Sequence, residues 1–146
     1  MKIQNLVLIS VGINKTLIFV YRNRKLLFKY ELPFGEEYLI RDLSAGLRIS
    51  FYEAKKILER YKKAKGIQYV LAKRIDGKIK RIKISFIKEI INARVEEILF
   101  FAAEKLKSKD FYKKLHPKII LIGKFSRLRN IQKIATDILE QSVDIR

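Results

Sequence analysis

Between Asn5 and Leu32 three apolar, β-branched runs follow one another: Asn5–Val11, Thr16–Tyr21 and Lys25–Leu32. Only Gly12-Ile13-Asn14-Lys15 and Arg22-Asn23-Arg24 separate them, and both have the chemistry of hairpins or tight loops. The spacing predicts three consecutive strands, so the chain commits to a sheet before it makes any helix. Helical periodicity then runs from Glu36 to Leu47, with Tyr38, Leu39, Leu43, Ala45 and Leu47 at its apolar positions.

Ser50, with Glu53 three residues on, is a capping-box signal for a second helix from Phe51 to about Lys65, stopped by Gly66. Around Asp76-Gly77 the arms IQYVLAKRI and KIKRIKI predict a hairpin. Along its second arm Ile79, Ile82 and Ile84 alternate with Lys80, Arg81 and Lys83, which predicts an exposed, positive face. Ser85 is placed to cap a long helix, Phe86 to about Lys107, with the stripe Ile87, Ile91, Val95, Ile98/Leu99, Ala102 and Leu106. Pro117 opens a buried strand, PKIILIG, and a last helix is expected from about Leu128 to Glu140. The predicted order is βββαα, ββ, α, β, α, an α/β chain.

With 146 residues, a hydrophobic share of 49% and only two prolines, the sequence is that of a folded domain with a real core. It has no cysteine and a single histidine, His116, so disulfides, thiolate metal sites and histidine clusters are excluded. His116 precedes Pro117 with no evident nucleophile or orienting carboxylate nearby, and Glu96-Glu97 diverge by about 100° on a helix, as solvated residues do. No phosphate-binding P-loop, metal triad or serine-hydrolase elbow occurs. No catalytic residue and no metal site is therefore assigned. No apolar run reaches the roughly 18 residues of a membrane span, and the N-terminus lacks the pattern of a secretory signal, so a cytoplasmic protein is expected.

The net charge of +18 points to anionic partners. From Glu53 to Lys88, thirteen Lys and Arg face three acidic residues, with Tyr52, Tyr61 and Tyr69 nearby. This 55–88 basic patch suits nucleic acid or an anionic membrane surface; the alternative is an ordinary solvated face.

The segment ELPFGEEYLIRDLSAGL, residues 31–47, resembles the bacterial FtsA cell-division family, which writes a Pro-x-Gly-Gly turn and then an x-x-Asp-(Ile/Leu/Val)-(Ala/Ser) helix. AGLRISFYEAKKI, INARVEEIL and IILIGKFSRLRNI resemble further family segments in the same order. The pilus-assembly protein PilM is a rival with the same fold and similar motifs, and Ala-Arg-Val-Glu-Glu-Ile at 93–98 favours FtsA. The resemblance implies the second half of an actin-like, ribonuclease-H-like fold: a three-strand meander, helices, then a later strand and helix. In it 1–66 and 108–146 would form the core subdomain (2A-like), and 67–107 an inserted hairpin-helix subdomain (2B-like). The first half and a C-terminal amphipathic helix have no counterpart, which implies a fragment or a naturally reduced relative.

In actin-like ATPases the matching phosphate loop is Asp-x-Gly-x-Gly-Thr-Thr. Here Ser10, Gly12, Asn14, Lys15 and Thr16 stand in those places, without the carboxylate that positions the metal. The adenosine-binding Ala-Glu-x-x-Lys becomes Ala54, Lys55 and Leu58, and the later Gly-Gly becomes Gly123-Lys124. The resemblance thus implies a degenerate site: no cofactor is expected, and ATP with Mg only if a separate first half completes it. It also implies docking of the FtsZ tail by Arg94, flanked by Ile90, Ile91 and Ile98. Phe86 stands where the family has a lysine, and Lys88 is a substitute. Self-association and recruitment to the inner face of the membrane at the septum complete these expectations.

Overall fold

The computed structural model describes residues 4–109 and 116–146. The opening runs form strands β1 (Asn5–Val11), β2 (Thr16–Arg22) and β3 (Lys25–Leu32), followed by helices α1 (Glu36–Leu47) and α2 (Phe51–Lys63). Next come β4 (Tyr69–Lys73), β5 (Ile79–Lys83), α3 (Ile84–Lys107), β6 (Lys118–Gly123), α4 (Ile131–Leu139) and β7 (Val143–Ile145). The chain packs as two compact units, Met1–Glu36 with Glu96–Arg146, and Glu37–Val95. Their seams fall inside α1 and α3.

The first unit holds a five-stranded sheet in the order β3-β2-β1-β6-β7. β1, β2 and β3 are antiparallel neighbours, while β6 runs parallel to β1 and β7 parallel to β6. The pairing sets Val20, Val7, Ile119 and Val143 side by side in one buried row, and Ile18, Ile9 and Leu121 in the next. Each such side chain contributes about 1.5–3 kcal/mol, and a one-residue slip would turn the rows out to solvent.

Two glycines fix where this sheet meets its connections. Gly35 lies so close to the β1–β2 turn that a Cβ would stand 2.6 Å from the carbonyl oxygens of Gly12 and Ile13. The Glu36 amide donates to Gly12 O at 3.0 Å, which anchors the start of α1. Gly123 adopts φ +95°, and a Cβ there would collide with the Val11 carbonyl, to which Lys124 N donates at 2.8 Å.

The second unit contains α2, the β4–β5 hairpin, most of α1 and the first half of α3. In α1 the buried apolar side chains are Leu39, Ile40, Leu43 and Leu47, while Ala45 is exposed. Ser50 caps α2 by accepting from Glu53 N at 3.1 Å, but the Glu53 carboxylate lies 3.8 Å from Lys56 Nζ. The helix ends at Ala64, whose extended backbone stops it before Gly66 is reached. Gly77 takes φ +87° in a three-residue loop, Ile75-Asp76-Gly77, closed by Arg74 N to Lys78 O at 2.8 Å and Gly77 N to Arg74 O at 2.9 Å. Val70 and Ala72 of β4 are buried, and Tyr69 and Leu71 are exposed.

α3 begins at Ile84, directly after β5, so Ser85 lies inside the helix and is not its cap. Its expected stripe is buried from Ile87 to Leu106. The last helix is shorter than expected because 124–129 form turns and Asn130 stands before it at φ +57°. β7 is a three-residue strand that the sequence reading lacked.

Gly123→Ala and Gly35→Ala are each expected to destabilise the protein by at least about 2 kcal/mol, because backbone carbonyls cannot yield as side chains do. Urea denaturation monitored by circular dichroism measures this, with Gly66→Ala, which has open space around it, as the milder control.

Candidate functional site

Ser10, Gly12, Asn14, Lys15, Thr16, Gly123 and Lys124 come together in the first unit at the carboxyl ends of β1 and β6. Two of their backbone donors are engaged within the turn region: Gly12 N donates to Lys15 O at 2.8 Å, and Lys124 N to Val11 O at 2.8 Å. Thr16 is fully buried and its hydroxyl donates to Phe34 O at 2.8 Å. Lys15 Nζ lies 3.4 Å from Glu31, with both side chains half-exposed. The place is a tight hairpin turn with two exposed lysines, Lys15 and Lys124, at its margin. Lys55 belongs to the other unit, exposed on α2.

The second unit positions the expected partner residues. Arg94 is held by a two-pronged ion pair with Asp42, Nε to Oδ2 at 2.7 Å and Nη2 to Oδ1 at 3.0 Å. Its guanidinium also lies 5.3 Å from the Tyr38 ring centre, as Arg41 does at 5.2 Å. Asp42 is the acidic residue of the Asp-Leu-Ser helix signature, so two motif residues 52 positions apart satisfy each other. Ile91 and Ile98 are buried, and the expectation that they offer apolar surface beside Arg94 is corrected: they belong to the inward stripe of α3. Phe86 remains exposed, and Lys88 and Ile90 are half-buried.

Beside Phe86 lies a shallow groove of about 510 Å³ whose walls include Arg48, Arg74, Lys80, Arg81 and Lys83 and no acidic residue. Arg74 Nε is buried there without a hydrogen-bond partner among the described residues, although its Nη2 reaches Asp76 at 3.5 Å. Arg48 joins the groove from the α1–α2 turn at φ +57°, where its carbonyl accepts from Ile75 N at 3.0 Å and Ile49 bridges Arg74. The sequence reading missed Arg48 as a groove residue. It stands outside the 55–88 basic run, and a bridge between residues 25 positions apart brings it in.

Glu96 and Glu97 are exposed on α3, and His116 is exposed at φ +40°. Among the described residues no group of His, Cys, Asp or Glu is arranged to hold a metal ion, and no helix is long and apolar enough to cross a membrane.

A meander continued by parallel β6 and β7, with helices and a hairpin-helix insertion between, defines an actin-like α/β protein. Solved structures agree: MreB5 of Spiroplasma citri, bound to AMPPNP, superposes with a TM-score of 0.79 at 15% identity, covering 97% of this chain and 47% of that one. A chain of the PilM–PilN type IV pilus biogenesis complex gives 0.69 at 15% identity, with 97% and 35% covered. At these identities the likeness is one of fold. The family model described as "Cell division protein FtsA" matches residues 7–146, and FtsA of Bacillus subtilis (strain 168) is 31% identical, covering 94% of this chain. The chain belongs to the FtsA cell-division family. It spans about a third, 32%, of the length of that relative.

A double-mutant cycle of Asp42→Ala and Arg94→Ala is expected to give a coupling of about 1–2 kcal/mol in denaturation experiments, since the pair is two-pronged and half-buried. Arg94→Lys should recover less than half of it, because an ammonium cannot fork.

Proposed function

We propose that this chain is a docking domain of the division apparatus that binds the FtsZ tail in the cation-lined groove beside Phe86. The observation that carries this reading is the groove itself: five cations, no acid and an exposed aromatic ring at the start of α3. Carboxylates of an acidic tail would meet guanidinium forks there, and an apolar tail side chain would cover Phe86. Arg94 acts differently from the first expectation. Committed to Asp42, it positions α1 against α3 within the second unit rather than offering its fork to the tail.

The domain is proposed to work without ATP turnover. Supporting this, the Gly12 and Lys124 amides donate within the protein, and no carboxylate stands at position 10. Placement at the septum on the inner face of the membrane, and self-association as in other actin-like proteins, belong to the same proposal.

Titration of a labelled FtsZ tail peptide, read by fluorescence anisotropy at low salt, tests it. Binding is expected to weaken at least about tenfold in Lys80→Glu/Lys83→Glu and about fivefold in Phe86→Ala. No binding by the wild type, or equal binding by the groove variants, would refute the assignment. Addition of Mg-ATP is expected to shift the melting temperature by less than about 1 °C; a rise of several degrees would show that the loop still holds nucleotide.

A further inference from the structure

The β4–β5 hairpin presents a second surface, which shares Arg81 and Lys83 with the groove. Opposed residues in an antiparallel pair share a face, so Tyr69 with Lys83, Leu71 with Arg81, and Lys73 with Ile79 lie on one side. The other side carries Val70 and Ala72, both buried in the unit. On the outer side Leu71 is 65% exposed, Ile79 68%, and Ile75 in the loop 75%. These aliphatic side chains protrude among cations. From Tyr69 to Lys83 there are six Lys and Arg against one acid, Asp76, which is occupied by Lys78 N at 2.9 Å and Arg74 at 3.5 Å.

We infer that this face is an anionic-membrane adhesion surface, in which Leu71, Ile75 and Ile79 enter the headgroup–acyl boundary while the surrounding cations hold acidic headgroups. Protruding aliphatic groups inside a ring of like charge gain little from water and nothing from a sugar-phosphate backbone. Nucleic acid would need open aromatic faces, and the aromatic side chain on this face, Tyr69, is already covered on one side by Arg81 at 3.9 Å from its ring centre. A second copy of the same face would bring cations against cations. An acidic bilayer satisfies both components at once, each cation raising partition about fivefold near the surface. The inference does not depend on tail docking, because Leu71, Ile75 and Ile79 do not line the groove.

Co-sedimentation of the chain with vesicles of phosphatidylcholine containing about 30% phosphatidylserine, against pure phosphatidylcholine, tests it. Pelleting is expected with the anionic vesicles alone and should decline as salt rises. The variant Leu71→Ser/Ile75→Ser/Ile79→Ser keeps every charge and should lose at least about tenfold in partition, with tail-peptide affinity unaltered. Equal pelleting of this variant would reduce the effect to charge alone and overturn the inference. So would absence of vesicle binding, with or without tight binding to duplex DNA. Should the triple variant melt lower than the wild type, Tyr69→Trp gives an independent readout: a blue shift of its emission with anionic vesicles is expected, and an unshifted emission overturns the insertion.

Discussion

Two adjacent carbonyl groups, those of Val11 and Gly12, organise the first unit. Val11 O accepts the amide that follows β6, and Gly12 O accepts the amide that starts α1. Strand pairing, the next helix and the turn between β1 and β2 all converge on this one end of β1. Such convergence is possible only if the approaching backbones carry no side chain, which is why Gly35 and Gly123 stand there. The Lys124 and Glu36 amides thus bond within the first unit and tie β6 and the start of α1 to the end of β1.

A second internal contact organises the other unit. Asp42 and Arg94 both belong to stretches that identify the family, and Arg94 alone suggests a docking role when seen in the sequence. Together they form an internal clamp whose partners lie on α1 and α3. The cations of the groove beside Phe86 come instead from Arg48, Arg74 and β5, none of which lies in the helical signature. The helical signature thus marks the frame of the unit, and the cations of the groove lie outside it, Arg48 in the AGLRISFYEAKKI run and the others in the hairpin.

Much of the frame was legible because it rests on local patterns. β1, β3 and α1 have the bounds that alternation and helical periodicity assign, and the inward stripe of α3 is the one that its spacing predicts. Failures occurred where a distant partner decides the outcome, or where local backbone or burial overrides the expected role. β7 is too short to signal itself and exists through its pairing with β6. α2 ends at Ala64 because the chain turns extended there, without waiting for a glycine. Ile91 and Ile98 looked like flanking surface in a list of neighbours of Arg94, yet the helical period that placed them in the stripe also buried them. Arg48 could not be assigned to the groove, since only the Ile49–Arg74 bridge folds it against the hairpin.

β5 has no second strand beside it among the described residues, so one row of its backbone donors and acceptors stays open. Lys80, Arg81 and Lys83 make that edge repel its own kind, a common protection against edge-to-edge pairing. This protection is electrostatic and therefore has a range of only about 10 Å at 0.1 M salt, shrinking to about 3 Å at 1 M. Colloidal behaviour follows: concentrated solutions of the chain hold together best when dilute in electrolyte. Multivalent anions, which neutralise the edge, will be the first condition under which hairpins from separate molecules begin to join.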